Sequence, residues 1–229
     1  MLDPDHDASP FRSLPPVAVV LALLVLGVEA VLQLAESGVL GGAGGIGWRS
    51  ALVQQIGFYD PLWEHARATG YMGGGILWRP VSYVFVHAAF LDAVFAAVLL
   101  LALGTQIAKV FPPVSTVFVF VVAALVGALT HGMLRDTTGP LFGAWPPVYG
   151  FLGLFTWSLW ITARRTGKNP WAAFQLVGVL VALQILFVLL FGARSALESE
   201  LAGFAVAFVL APLLLPGGIT RLRARLRSR

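Results

Sequence analysis

The 229-residue chain is 58% hydrophobic and only 11% charged, with a mean hydropathy of +0.85, which excludes an ordinary water-soluble globule and predicts an integral membrane protein. Its net charge is +4, but a third of its basic residues lie in a C-terminal tail, which favours contact with anionic lipid over nucleic acid. The absence of cysteine excludes disulfides, thiol nucleophiles and thiolate metal sites.

Six apolar runs have the length that a membrane-crossing helix needs. A hydrocarbon core about 30 Å thick requires about 20 residues at helical rise. The runs therefore predict an all-α fold, a polytopic membrane bundle of six helices. They cover residues 16–35, 80–107, 113–134, 143–163, 171–192 and 198–215.

The predicted bundle, residues 15–215, is flanked by two tails. Residues 1–14 contain three aspartates and no basic region, so we expect no cleaved signal peptide and a first run that remains as an anchor. Residues 216–229 form an arginine-rich tail. Both tails are expected on the cytoplasmic side of a bacterial inner membrane, because that side collects ten basic residues and the other side five.

A long loop, residues 36–79, follows the first run. It is too polar and glycine-rich to cross a membrane, and it mixes Trp, Tyr and Phe with scattered charges. That mixture is typical of chain that lies at the membrane interface. We expect this loop on the external side.

Ionisable residues occur within the predicted spans, where each needs a partner or a function. They are Glu29, His87, Asp92, His131 and Glu200. The favoured interpretation is that they hydrogen-bond one another and join the helices. A metal site built from the last four is conceivable, but no paired spacing supports it, and we expect neither metal nor cofactor. Transport is a further alternative, although these four map to the external half and form no polar file across the bilayer.

Three stretches carry a recognisable pattern. They are WRPVSYVFVHAAFLDAVFA at 78–96, GAWPPVYGFLGLF at 143–155 and SELAGFAVAF at 199–208. Read in order, they resemble the rhomboid family of intramembrane serine proteases. The resemblance extends over roughly residues 70–215 and implies a six-helix rhomboid-like bundle with a long external first loop.

The resemblance matches several aromatic, basic and small positions of the family. Small residues on the fourth and sixth spans are spaced so that two helix backbones can approach closely. The retained positions are Trp78, Arg79, Ser82, His87, Gly143, Tyr149, Gly150, Gly153, Ala202 and Gly203.

The same resemblance implies that the catalytic positions are replaced. Trp145 occupies the position of the family's nucleophile, and an indole cannot act as one. Glu200 occupies the position of the family's general base. Asp92 and Ala96 stand where the family has a second His and an Asn. Pro146 also lacks the backbone N–H close to the former oxyanion site. We therefore expect a catalytically inactive member, and hypothesise that the Trp145 indole fills the old cavity and reaches Glu200 or Asp92.

By resemblance, the expected function is non-catalytic. Such a protein would bind transmembrane segments of client proteins, beside the second and fifth spans, as an adaptor, chaperone or assembly subunit. The alternatives are a rhomboid-type serine endopeptidase with a non-standard site, and a small transporter or structural subunit of a larger complex. Membrane lipids are expected to bind the tail through Arg221, Arg223, Arg225, Arg227 and Arg229.

Overall fold

The computed structural model describes residues 14–71, 73, 75–134, 139–191, 196–218 and 220. Within these residues the all-α prediction is confirmed, and the only extended pairing there is one antiparallel bridge between Phe58 and Leu141. The five arginines of the tail lie outside the described residues. The helices are α1 Pro16–Glu36, α2 Trp48–Ile56, α3 Asp60–Thr69, α4 Arg79–Ser82, α5 Phe90–Ile107, α6 Pro113–Leu134, α7 Trp145–Arg165, α8 Gln175–Phe191 and α9 Leu197–Leu214.

Prolines mark the beginnings of several helices. α1, α3, α4 and α7 carry proline in their first turn, and α6 begins at one. A proline there loses nothing, because amides of the first turn have no intrahelical acceptor and the fixed φ suits a helix. Three short 3₁₀ helices complete the chain, Gly42–Gly45, Tyr83–Phe85 and Pro170–Phe174.

Six helices match the predicted spans in order. By length and composition, α1, α5, α6 and α9 could each cross a membrane, and α8 contributes to a shorter apolar stretch, Pro170–Leu186. α7 is long enough at 21 residues but is more polar, and it buries more residues than any other helix described here. The molecule is thus a polytopic helical membrane protein. That α7 and α8 cross the membrane stays a prediction.

The second span begins later than predicted. The prediction of one continuous helix over residues 80–107 is wrong at residues 83–89. These residues form a 3₁₀ turn, which is followed by extended backbone at Val86 and Ala89. The apolar composition of this segment conceals the break. The carbonyl of His87 accepts a side-chain hydrogen bond from the first loop. That bond satisfies a polar group that a helix would otherwise have to satisfy.

α7 lies at the centre of the bundle. It packs against α9, α6 and α5, while α1 packs on α5. Glycines set the closest approach of α7 and α9: a Cβ at Gly153 would meet the carbonyl oxygen of Phe204, and one at Gly203 would meet that of Pro146. The close contact predicted between the fourth and sixth spans is present.

α2 and α3 belong to the first loop and cover one end of the bundle, which we call the loop end. α1 and α6 end there, and α5, α7 and α9 begin there. α2 buries no residue, and Trp48 at its start is 41% exposed. These features fit a loop that lies along a membrane interface.

Candidate functional site

Trp145 is the first residue of α7, and a sharp turn precedes it. Gly143 has a φ of +107°, a region that residues with a Cβ avoid, so glycine is required for this entry into the helix. The helix therefore begins two residues later than the predicted span 143–163. Pro146 and Pro147 follow within the first turn. The Trp145 side chain is half-buried at the loop end.

The Trp145 indole is bonded to Asp92 on α5. Its Nε1 donates to Oδ1 of Asp92 at 2.8 Å, and Oδ2 accepts the backbone N–H of Ala88 at 3.3 Å. Asp92 lies in the first turn of α5, where the free amides of a helix favour a carboxylate. Of the two partners predicted for the indole, Glu200 and Asp92, the structure has Asp92.

His87 is completely buried just before α5. Its Nε2 accepts the backbone N–H of Ala144 at 3.1 Å, which requires a neutral ring with the proton on Nδ1. Burial lowers the pKa of His87, in agreement with that neutral form. Nδ1 has no hydrogen-bond partner among the described residues. The prediction that His87 and Asp92 share one helix is wrong, because His87 lies in the extended segment.

Arg49 of α2 connects this region to α1. Its guanidinium donates to both carboxylate oxygens of Glu29 at 2.8 Å. It also donates to Glu36 at 2.7 Å and to the carbonyl oxygen of His87 at 2.6 Å. The hydrogen bonds that Arg49 donates to Glu29 are the largest cause that raises the pKa of Arg49 above its usual value. Arg49 therefore joins α1, α2 and the segment before α5.

These contacts form one continuous network, which we call the loop-end clasp. It links the end of α1 and the start of α2 to the starts of α5 and α7. None of its members carries a hydroxyl, so the clasp can hold helices together but offers no serine or threonine nucleophile. Its members are Glu29, Glu36, Arg49, His87, Asp92, Ala144 and Trp145.

Glu200 belongs to a separate polar cluster. It is 3% exposed in the first turn of α9. Nε2 of Gln184, on α8, lies 2.7 and 2.6 Å from the two carboxylate oxygens of Glu200. The Tyr149 hydroxyl donates to Oε1 of Gln184 at 3.2 Å. Glu200, which the resemblance places at the family's base position, is therefore bonded to an amide and not to the Trp145 indole.

The four side chains considered as metal ligands have four different partners. His131 on α6 lies 3.1 Å from Glu198, whereas His87, Asp92 and Glu200 bind the groups described above. Among the described residues, no three His, Cys, Asp or Glu side chains are grouped so that they could hold a metal ion. The expectation that these residues hydrogen-bond one another is wrong, because they lie on different helix starts and ends and each faces its own neighbour.

Serine hydroxyls mostly serve the backbone in the described part of the chain. Ser82 donates to the carbonyl of Ile56 at 2.9 Å, and Ser158 donates to Leu154 in its own helix at 2.9 Å. Ser199 is completely buried, and its hydroxyl has no hydrogen-bond partner among the described residues. It precedes Glu200 directly, and consecutive helical side chains point about 100° apart.

The remaining positions of the predicted pattern have structural surroundings. Arg79 is buried and donates to the carbonyl of Gly57 at 2.8 Å. Trp78 is 61% exposed at the surface, and Ala96 is buried within α5. A cleft of about 330 Å³ opens beside the clasp, and Trp145, Asp92 and Glu200 do not line it. Its lining residues are Arg49, Ser50, Val53, Gln54, Tyr59, Ala88 and Phe142.

Sequence reasoning missed the role of Arg49. A signal was present, because Glu29 and Glu36 are seven residues apart and therefore share one face of α1 two turns apart. Two carboxylates on one face of an apolar helix require a cation. The nearest candidate along the chain is Arg49, and no fixed spacing across a glycine-rich loop identifies it.

The comparison with known families agrees with this architecture. A family model described as the Rhomboid domain matches residues 74–217, more than half of the chain and the part that contains α5 to α9. No curated protein sequence matches the chain. The match spans the helices that position Trp145, Asp92 and Glu200, and with the helical membrane fold it shows that this chain belongs to the rhomboid family.

Proposed function

We propose that this chain is a non-catalytic rhomboid-family membrane protein. It binds transmembrane segments of other membrane proteins and acts as an adaptor, a chaperone or an assembly subunit. The observation that carries the proposal is the bond between the Trp145 indole and Asp92. An indole stands where the family resemblance puts the nucleophile, and it is engaged in holding α5 to α7.

The surroundings of Trp145 support the absence of peptide hydrolysis. The reaction needs an attacking hydroxyl, a base for its proton and donors for the oxyanion. In the clasp, the amide of Ala144 is used by His87, and Pro146 has no amide hydrogen to offer. Glu200 could accept a proton, but its carboxylate is bonded to Gln184 and interacts with the Tyr149 phenol, and no serine or threonine hydroxyl is bonded to it among the described residues. Around Trp145, each group that the reaction needs is missing or engaged.

Two helices present apolar faces that a client helix could contact. The side chains are large and well exposed at a depth where lipid or another helix must cover them. On α5 they are Phe90, Leu91, Phe95 and Val98, and on α8 they are Val179, Leu183, Leu186, Leu189 and Leu190. This exposure supports lateral binding of a client beside the second and fifth spans.

One observation favours a second candidate function, a serine endopeptidase with a non-standard site. Ser199 is buried, its hydroxyl has no partner among the described residues, and a carboxylate follows it in sequence. A fluorophosphonate probe distinguishes the two candidates. Purified protein in lipid, incubated with the probe and a transmembrane substrate, is expected to show neither labelling nor cleavage. Labelling that disappears in Ser199→Ala, together with cleavage of the substrate, would make the serine endopeptidase the favoured function.

Photo-crosslinking tests the client-binding function directly. A photoreactive residue at Phe95 on α5 or Leu189 on α8 is expected to capture transmembrane proteins in native membranes. Val114 on α6 is a matched control, because it is 78% exposed and Leu189 is 77% exposed. Equal capture at all three positions, or none, would contradict a specific lateral site.

We also propose that both termini face the cytoplasm of a bacterial inner membrane, with the arginine tail against anionic lipid. The chain has no cysteine, so single cysteines can be introduced without a background. Ser50→Cys in the first loop is expected to react with a membrane-impermeant maleimide in intact cells. Ser228→Cys in the tail is expected to react only after lysis, and the reverse pattern would overturn the orientation.

A further inference from the structure

Gln184 of α8 occupies a polar pocket between α7 and α9. The carboxylate of Glu200 accepts from its amide nitrogen at 2.7 and 2.6 Å, and the hydroxyl of Tyr149 donates to its amide oxygen at 3.2 Å. Both hydrogen-bonding groups of the carboxamide are therefore satisfied: the NH₂ has an acceptor and the C=O has a donor. We call Tyr149 and Glu200 the amide pocket.

The amide pocket is built on the most tightly joined helices of the bundle. Tyr149 is 1% exposed and Glu200 is 3% exposed. α7 and α9 meet through glycines, with Gly203 against the backbone of Pro146. Because neither helix depends on α8 for this contact, the pocket keeps its shape when Gln184 leaves it.

Leu180 and Val181 are partly buried against the core, and the part of α8 that follows them is weakly attached. No described side chain from Gly178 to Leu190 is buried, a range in which the side chains of residues 187 and 188 are not described. The first half of α8 is anchored, since Val177 is buried and Phe174, just before α8, packs on Phe208 at 5.5 Å between ring centroids. The bonds of Gln184 are therefore a main attachment of the second half of α8, and a competing amide can replace them.

We propose that the amide pocket binds the side-chain carboxamide of an asparagine or glutamine in a client transmembrane helix, which displaces Gln184. This inference rests on the proposed function and names the chemistry of its client. The exchange conserves every hydrogen bond within the pocket, because the client amide gains the partners that it lacks in lipid while Gln184 gives up the same partners. A leucine satisfies neither residue of the pocket. A lysine satisfies Glu200 but offers no acceptor to Tyr149.

The test uses the full chain in lipid nanodiscs and synthetic Leu–Ala transmembrane helices labelled for energy transfer. One helix carries a single Gln near the depth of Glu200, and the others carry Leu or Lys there. Because Gln184 competes for the same partners, the Gln helix is expected to bind the wild-type chain only slightly more tightly than the Leu helix. Gln184→Leu removes the competitor, and the Gln helix is then expected to bind about tenfold more tightly than the Leu helix, as for one interhelical hydrogen-bonded pair. Gln175→Leu, the same change at an exposed site of α8, should leave binding unchanged.

In the Gln184→Leu variant, Glu200→Leu is expected to reduce binding of the Gln helix to the level of the Leu helix, and Tyr149→Phe is expected to remove part of the preference for the Gln helix. If Glu200→Leu does not fold, Tyr149→Phe still tests the pocket, because it removes only a hydroxyl. Equal binding of the Gln, Lys and Leu helices, in the wild-type chain and in Gln184→Leu, would overturn the amide pocket. If clients crosslink at Phe95 or Leu189 equally well in Tyr149→Phe, the amide pocket is rejected. The proposed function would still stand.

Discussion

The loop-end clasp and the α7–α9 contact hold the same central helix by opposite means. The clasp uses polar side chains from loops and helix starts, such as Trp145 on Asp92. The contact uses glycines that let two backbones touch, such as Gly203 on Pro146. Under the proposed function, side chains of the first arrangement stand where the family resemblance puts catalytic ones, while the second arrangement consists of small residues. Side-chain partners can be replaced in pairs, whereas a backbone contact leaves no room for any side chain.

This difference predicts that the largest loss of stability comes from the α7–α9 contact. In Gly203→Val, the new Cβ meets the carbonyl oxygen of Pro146, which is backbone and cannot rotate away. We expect a loss of folding free energy on the order of 3 kcal/mol or more, or no folded protein. Thermal unfolding in detergent, followed by tryptophan fluorescence, measures it. Gly178→Val on α8 is the control, because a Cβ there meets nothing within 4 Å. Equal melting temperatures of Gly203→Val and Gly178→Val would contradict a special sensitivity of the α7–α9 contact.

The next largest effect is expected from the ion pair that ties the clasp to α1. Arg49→Leu leaves the Glu29 carboxylate, 1% exposed, without its cation. Breaking a buried pair from one side costs about 3 kcal/mol, while removing both charges is much less harmful. The double variant Arg49→Leu, Glu29→Leu is therefore expected to melt above the single variant. A double variant no more stable than the single one would show that Arg49 acts through its other contacts.

The same two regions show how far sequence reasoning can go. The helices and the α7–α9 contact were predictable because apolar length and small-residue spacing are local signals. The break at residues 83–89 was not, since its cause is a hydrogen bond from Arg49 in a loop of unpredicted path. The pairing of Glu200 with Gln184 was hidden for a related reason. It depends on the rotation of α8 relative to α9, which an almost uniformly apolar helix such as α8 does not encode.

A smaller and more specific effect is expected from the bond between Trp145 and Asp92. Trp145→Phe keeps most of the ring but removes the indole N–H that donates at 2.8 Å. A hydrogen bond to a carboxylate contributes about 1.5–3 kcal/mol, and we expect the lower part of this range because Trp145 is only half-buried. A double-mutant cycle with Asp92→Ala separates this bond from the role of Asp92 at the start of α5. Strictly additive losses of stability would show that Trp145 and Asp92 do not interact, and that Trp145 is not part of the clasp.

The smallest expected effect is a pH dependence of the clasp. Burial lowers the pKa of His87 in the folded chain, while the unfolded chain has the ordinary value of about 6.5. Below that value the unfolded chain takes up a proton that the folded chain refuses, so stability present above pH 6.5 is lost as the pH falls. Between pH 7.5 and 5.5 the loss is at most about 1.4 kcal/mol. His87→Gln, whose amide oxygen can still accept the Ala144 N–H, should lose less stability over that range. An equal loss in both proteins would mean that the His87 imidazole is not held neutral.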